Sequence, residues 1–210
     1  MPHHEELLTN SETRLWKLIE HRAQPGADTK HIDERIWKLF GEEWAVMFTD
    51  LSGFSRKTAE FGIIHFLQVI HGMRRLLFPV VEDHCGFLVK EEADSLLLLF
   101  RTGRSALECA IAMQHACATA NERLVPEEQI LLCVGIGHGR ILRVGEHETW
   151  GREVNAASKL GEDTAASYEI LVTEAARKAA GDIPGVDYED LGIEAPGSKQ
   201  NYRALYRTSS

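Results

Sequence analysis

At 210 residues the chain has room for one large domain, or for a domain of about 150 residues with an appendage. Its composition, 44% hydrophobic and 26% charged, is that of an ordinary globular chain and excludes a disordered or fibrous protein. With 23 Lys+Arg against 32 Asp+Glu the net charge is −9, which argues against nucleic acid as a partner but leaves room for a small anionic ligand held by local cations or metal.

Residues 5–42 are expected to form a helical N-terminal extension, residues 1–42 in all. Thr9 and Glu12 have capping-box spacing, and Leu15, Trp16, Leu18 and Ile19 recur at helical intervals until Pro25-Gly26 interrupts them. A second helix should begin at Asp28 or Thr29 and place Ile32, Ile36, Leu39 and Phe40 on one face. Such an arm could pack onto the main domain, regulate it or stabilise a dimer.

From Trp44 the pattern alternates between strands and helices, and residues 43–208 read as one domain. The run 44–49 (WAVMFT) predicts a buried strand ending at Asp50. Helices are expected from about Phe54 and from Ile63 to Glu82. Residues 87–90 and 95–100 predict a hairpin, because Glu91-Glu92-Ala93-Asp94 between them is too short for a helix. A helix over 104–122 follows, then strands over 130–136 and 140–144 joined through Gly137-His138-Gly139. A helix over 151–162, a strand over 169–172, a helix over 173–180 and strands near 186–191 and 202–207 complete the chain. The order β-α-α-β-β-α-β fits an α+β fold, a ferredoxin-like mixed or antiparallel sheet with helices packed on it.

Asp50 is the most informative residue. It stands where a hydrophobic strand gives way to Leu51-Ser52-Gly53-Phe54-Ser55 and a helix start. Amide groups at such a turn cradle phosphate, and a carboxylate beside them makes sense if a divalent cation lies between. Magnesium favours one or two carboxylates together with phosphate oxygens, and Asp94, at the expected hairpin, is the natural second ligand. Taken singly, Asp50 would pass for an N-cap and Asp94 for a turn residue.

Three blocks, in order, carry a family resemblance. Phe48-Thr49-Asp50-Leu51-Ser52-Gly53-Phe54-Ser55 resembles the first signature of the class III nucleotidyl cyclases. Lys90-Glu91-Glu92-Ala93-Asp94 and the strand SLLLLF resemble the second, and Trp150-Gly151-Arg152-Glu153-Val154-Asn155-Ala156-Ala157-Ser158-Lys159-Leu160 the third. The resemblance covers about residues 43–208. It implies an enzyme that converts a nucleoside triphosphate to a cyclic 3′,5′-monophosphate and pyrophosphate, as a homodimer with two divalent cations, Mg²⁺ or Mn²⁺.

By that resemblance Asp50, Asp94 and the Leu51 carbonyl bind metal, and the amides of Gly53 and Phe54 cradle the triphosphate. Asn155 orients the ribose. Lys159 stands where the family has a charge-stabilising arginine, keeping the charge but losing the bidentate fork. Four residues apart, Asn155 and Lys159 share a helix face, which would equally suit a solvated surface. Lys90 and Glu148 or Thr149 fall where the family reads the base, and they suit adenine. Lys199, in Gly197-Ser198-Lys199, matches a phosphate-meeting lysine loosely. Ala93 replaces the family's glycine. ATP is therefore the expected substrate. Guanine or pyrimidine nucleotides with the same chemistry, and a non-catalytic nucleotide- or partner-binding module, are the alternatives.

Other signals carry less. The ten histidines include no HxxxH or HExxH pair, and Gly135-Ile136-Gly137-His138-Gly139 lacks the order of a dinucleotide site. Cys85, Cys109, Cys117 and Cys133 form no CxxC pair and read as reduced core thiols. The start, MPHHEELLTN, shows no secretory leader, and no apolar run reaches the ~20 residues of a membrane span, so a cytoplasmic protein is expected.

Overall fold

A computed structural model describes residues 11–53 and 59–207 of the chain. The proposed capping residue Thr9 and the proposed helix start at Phe54 lie outside the described residues. Helices α1 (Ser11–Arg22) and α2 (Thr29–Phe40) form the arm, and Asp28 caps α2 by accepting from the His31 amide. Arg22 and Asp33 pair across the two helices at 2.5 Å. Leu15, Leu18, Ile32, Ile36 and Phe40 build a small core with Val144. Leu39, expected on one face with Ile32, Ile36 and Phe40, is exposed, and so are Trp16 and Ile19 of the first apolar repeat. Among the described residues the arm packs against the strand Leu132–Val144 and the start of the first strand of the sheet.

There is no linker after the arm. Phe40 ends α2 and Gly41 opens β1 (Gly41–Leu51), three residues before the expected strand. A Cβ on Gly41 would stand 2.4 Å from the Trp37 carbonyl oxygen, so only glycine allows so sharp an exit from the helix.

The sheet follows from the alternation of β1. Ala45, Met47 and Leu51 face one core, with α3 (Ile63–Asp83) and α4 (Gly103–Asn121); Trp44 and Val46 face another, and Phe48 packs against it. β2 (Phe87–Glu92), β3 (Ser95–Phe100) and β4 (Leu132–Val144) complete the central set, in the order β2-β3-β1-β4, all antiparallel. With α3 between β1 and β2, and α4 between β3 and β4, this is the ferredoxin-like arrangement. β6 (Ile170–Thr173) adds parallel to β4, and β8 (Asn201–Tyr206) and β7 (Val186–Asp190) extend that side. Helix α6 (Glu174–Ala180) joins the larger core through Ala176 and Ala180.

One expectation about β4 and one about the helix after it fail. Gly137-His138-Gly139 does not separate two strands, for β4 runs unbroken from Leu132 to Val144. A short strand β5 (Glu148–Trp150) then folds back on β4. Glycines serve the opposite face: a Cβ on Gly135 would lie 2.2 Å from the Ala157 carbonyl oxygen and 2.3 Å from the Gly161 amide nitrogen. The missing side chains let helix α5 (Arg152–Ser158) and the π-helical turn Lys159–Thr164 lie directly on the strands. The expected helix over 151–162 is thus two elements.

Cysteines depart in one case. Cys109, Cys117 and Cys133 are buried, but Cys85 is exposed, at a positive φ of 55° in the turn after α3.

Candidate active site

Asp50 sits at the end of β1 and Asp94 in the turn before β3. The β1–β3 register, which pairs Thr49 with Leu96, sets Asp50 beside Ser95. The Ser95 hydroxyl donates to Asp50 Oδ1 at 3.0 Å. Asp94 is buried, only 6% exposed, and its Oδ2 has no hydrogen-bond partner. Burial pushes the Asp94 carboxyl up to about 7, with the Asp50 charge as the next cause. Burial also raises Asp50, against the opposing hydrogen bonds from Ser95 and the Leu51 amide.

An unpartnered, buried carboxylate oxygen beside a second carboxylate is costly unless a cation or proton neutralises it. The donor set is all oxygen, which suits a hard divalent ion. Cys133 pairs with Asp50 across the β1–β4 ladder, but burial first and these carboxylates after it lift its thiol to about 12, so it supplies no thiolate. No third Asp, Glu, His or Cys completes a ligand cluster among the described residues. The residues therefore fit metal held by two carboxylates whose remaining ligands come from a substrate. Gly53 follows with a φ of 82°, a conformation that glycine adopts freely. Phe54 lies outside the described residues.

The same face of the sheet carries a cavity of about 160 Å³ that brings Lys90, Glu148 and Thr149 together, with Ser95 and Phe48 on the side toward Asp50. Thr149 Oγ1 is buried without a partner. Lys90 Nζ lies 2.6 Å from Glu92, two residues along the same strand. That exposed pairing, hydrogen bond before charge, raises the lysine above its usual range. A cavity of about 430 Å³ between α3 and α4 is larger but holds neither carboxylate. Chemistry, not size, picks out the smaller one.

Asn155 and Lys159 are not in that cavity. Both are exposed, Asn155 on α5 and Lys159 at the start of the π-helical turn. Lys159 Nζ is engaged by Asp163 at 3.1 Å, and the Asp163 charge also reaches Asp50. Lys199 is exposed in the turn before β8 and does not line the cavity. Sequence reasoning missed Ser95, Glu92, His147, Glu162 and Asp163. Ser95 was legible, since it follows Asp94 directly and must face Asp50 once the hairpin register is drawn; Glu92 lies on the expected hairpin, and His147, Glu162 and Asp163 depend on the unforeseen β5 and π-turn.

Comparisons with known proteins agree with this geometry. Residues 41–201 match the model for the adenylate and guanylate cyclase catalytic domain. The chain is 28% identical over 148 residues to "Putative adenylate cyclase 3" of Rhizobium meliloti (strain 1021), covering 70% of this chain and 25% of that protein. It is 26% identical over 162 residues to "Serine/threonine-protein kinase pkn2" of Myxococcus xanthus, covering 77% of this chain and 19% of that protein. The chain thus matches about a quarter or less of the length of these two relatives. Among solved structures, the adenylyl cyclase CyaB from P. aeruginosa superposes with a TM-score of 0.68 at 19% identity, covering 81% of this chain and 98% of that one. An "Adenylate/Guanylate Cyclase/Hydrolase" from Silicibacter pomeroyi does so with a TM-score of 0.65 at 25% identity, covering 78% and 95%. With the family model matched over residues 41–201, both carboxylates included, this chain belongs to the adenylate and guanylate cyclase catalytic-domain family.

Proposed function

We propose that the chain is a nucleotidyl cyclase that converts ATP to cyclic 3′,5′-AMP and pyrophosphate. The observation that carries this reading is the Asp50–Asp94 pair, with its unpartnered buried oxygen, beside a cavity lined by Lys90, Glu148 and Thr149. Asp50, Asp94 and the Leu51 carbonyl would hold two divalent cations, Mg²⁺ or Mn²⁺. Bound there, the cations supply charge neutralisation on the triphosphate and a lower pKa for the ribose 3′-hydroxyl.

In the reaction the 3′-oxygen forms a bond to the α-phosphorus, the α–β bridging bond breaks, and the hydroxyl proton passes to solvent. The chain contributes position and charge. Gly53 and Phe54 amides bind the triphosphate, Lys199 meets it from the β8 turn, and Lys159 stabilises charge as pyrophosphate departs. Asn155 orients the ribose. Lys90 donates to an adenine ring nitrogen, and Glu148 or Thr149 accepts from the exocyclic amine.

Asn155 and Lys159 project from an exposed helix face, outside their own chain's base cavity. That supports a homodimer in which each site draws on both chains. Among the described residues no helix is long and apolar enough to cross a membrane. The cyclase is read as a cytoplasmic one that needs no nucleic acid.

The test is incubation of the purified chain with each of the four ribonucleoside triphosphates and Mn²⁺, with the products identified by mass. Cyclic AMP as the main product, lost in Asp50→Ala and Asp94→Ala, supports the reading. A different cyclic nucleotide moves the base assignment alone. No cyclic product from any nucleotide leaves the non-catalytic module.

A further inference from the structure

The cavity that holds Lys90, Glu148 and Thr149 is also lined by a side chain with no assigned part, His147. It stands in the turn between β4 and β5, two residues after Gly145, and its ring reaches across to β2. There Nδ1 lies 3.3 Å from the Val89 carbonyl oxygen. A carbonyl oxygen can only accept, so Nδ1 carries the proton. In the neutral ring Nε2 is then an acceptor, and in the imidazolium it is a donor. Val89 thus fixes the tautomer and ties the ring to the strand that carries Lys90 at the next position.

Nucleobases differ at the atom such a group would probe. Adenine and cytosine offer an exocyclic amine, which donates; guanine and uracil offer a carbonyl oxygen in its place, which accepts. We propose that His147 is a specificity-determining residue of this cavity, its neutral ring favouring amino bases and its protonated ring favouring oxo bases. The inference rests on reading the cavity as the base site. Other charged groups share the cavity: Lys90 and Glu92 on β2, which pair with each other, Glu148 on β5 and Glu162 on the π-helical turn. Glu146 adjoins His147 in the turn and is exposed.

The test measures equilibrium binding of the α,β-methylene analogues of ATP and GTP, which cannot release pyrophosphate, to the full chain with Mn²⁺. Binding is followed from about pH 5.5 to about pH 7.5. The ratio of the two affinities cancels the titration of the metal ligands and the triphosphate, which both analogues share.

In the wild type the preference for the ATP analogue should fall about two- to tenfold toward low pH, the worth of one hydrogen bond. His147→Gln, whose amide can donate to Val89 and accept from an amine but does not titrate, should hold the high ratio at every pH. His147→Ala should give a low, pH-independent ratio. A ratio with the same value and pH dependence in all three proteins overturns the proposal.

Turnover measured alongside separates this inference from the cyclase reading. A His147-dependent ratio without any cyclic product sinks the cyclase reading and leaves the histidine assigned. Product formed with a ratio that ignores His147 does the reverse. If neither analogue binds, both fall.

Discussion

Asp94 is buried against Asp50 with one oxygen unpartnered, and burial followed by the neighbouring charge lifts its carboxyl to about 7. The folded state therefore binds this proton more tightly than the unfolded chain, in which the group titrates near its ordinary value of about 4. Asp94 is stabilising while protonated, below about pH 4. That contribution is lost as pH rises to about 7. Metal-free protein should thus lose thermal stability over this window. Asp94→Asn, neutral at every pH, should unfold at a higher temperature than wild type near pH 8 and lose the slope. Mn²⁺ should restore stability to the wild type but not to the variant. A wild-type melting curve indifferent to both pH and Mn²⁺ would show that the carboxylates are not the electrostatically stressed pair described here.

Ala93 supplies a second prediction. It occupies the first position of the two-residue turn between β2 and β3 with a φ of 52°, where an L side chain is strained and glycine is preferred. Glycine would relieve a strain of about 1–2 kcal/mol and lose somewhat less than 1 kcal/mol through the greater freedom of the unfolded chain. Ala93→Gly should therefore raise stability slightly, by a few tenths to about 1 kcal/mol, as read by denaturant unfolding. A clear loss of stability would mean that the turn holds Asp94 by some other device.

Gly135 makes the opposite case. Its backbone does not need glycine, but its space does, because Ala157 and Gly161 press against it. Gly135→Ala should push α5 and the π-helical turn off β4, destabilising the fold by about 1–3 kcal/mol, the usual cost of overpacking. Because Asn155 and Lys159 ride on those elements, kcat should fall in the protein that still folds. Unchanged stability and turnover would mean that the contact relaxes without moving the helix.

These glycines also mark what the sequence concealed. The central hairpin and the two aspartates were legible, since apolar runs broken by a short acidic turn specify register and position together. Gly137 and Gly139 looked like a strand break because glycine is poor in strands, yet the cause was a helix seated on the strand's face. That contact joins residues far apart in sequence, which no local pattern reports. β5 was missed for a related reason: Glu148-Thr149-Trp150 is too short to alternate visibly, and it is a strand only because Leu142 and Arg143 are there to pair with it. His147 and Glu162 reach the cavity through those two elements, so they were hidden with them.

The arrangement of the proposed site gives the last prediction. Asp50 and Asp94 lie at one end of the sheet, whereas Asn155 and Lys159 stand exposed on α5 and its π-turn. If the ribose- and phosphate-binding groups of one chain serve the carboxylates of another, an isologous dimer has two equivalent sites. Asp50→Ala and Asn155→Ala should each be inactive alone. In a mixed dimer one site collects both lesions and the other collects none. With random exchange half the dimers are mixed and each has one good site, so the mixture should recover roughly a quarter of wild-type activity by this symmetry. Recovery should vanish on dilution, as the dimers dissociate. A mixture that stays inactive although subunit exchange is shown by differently tagged chains would place each site within a single chain.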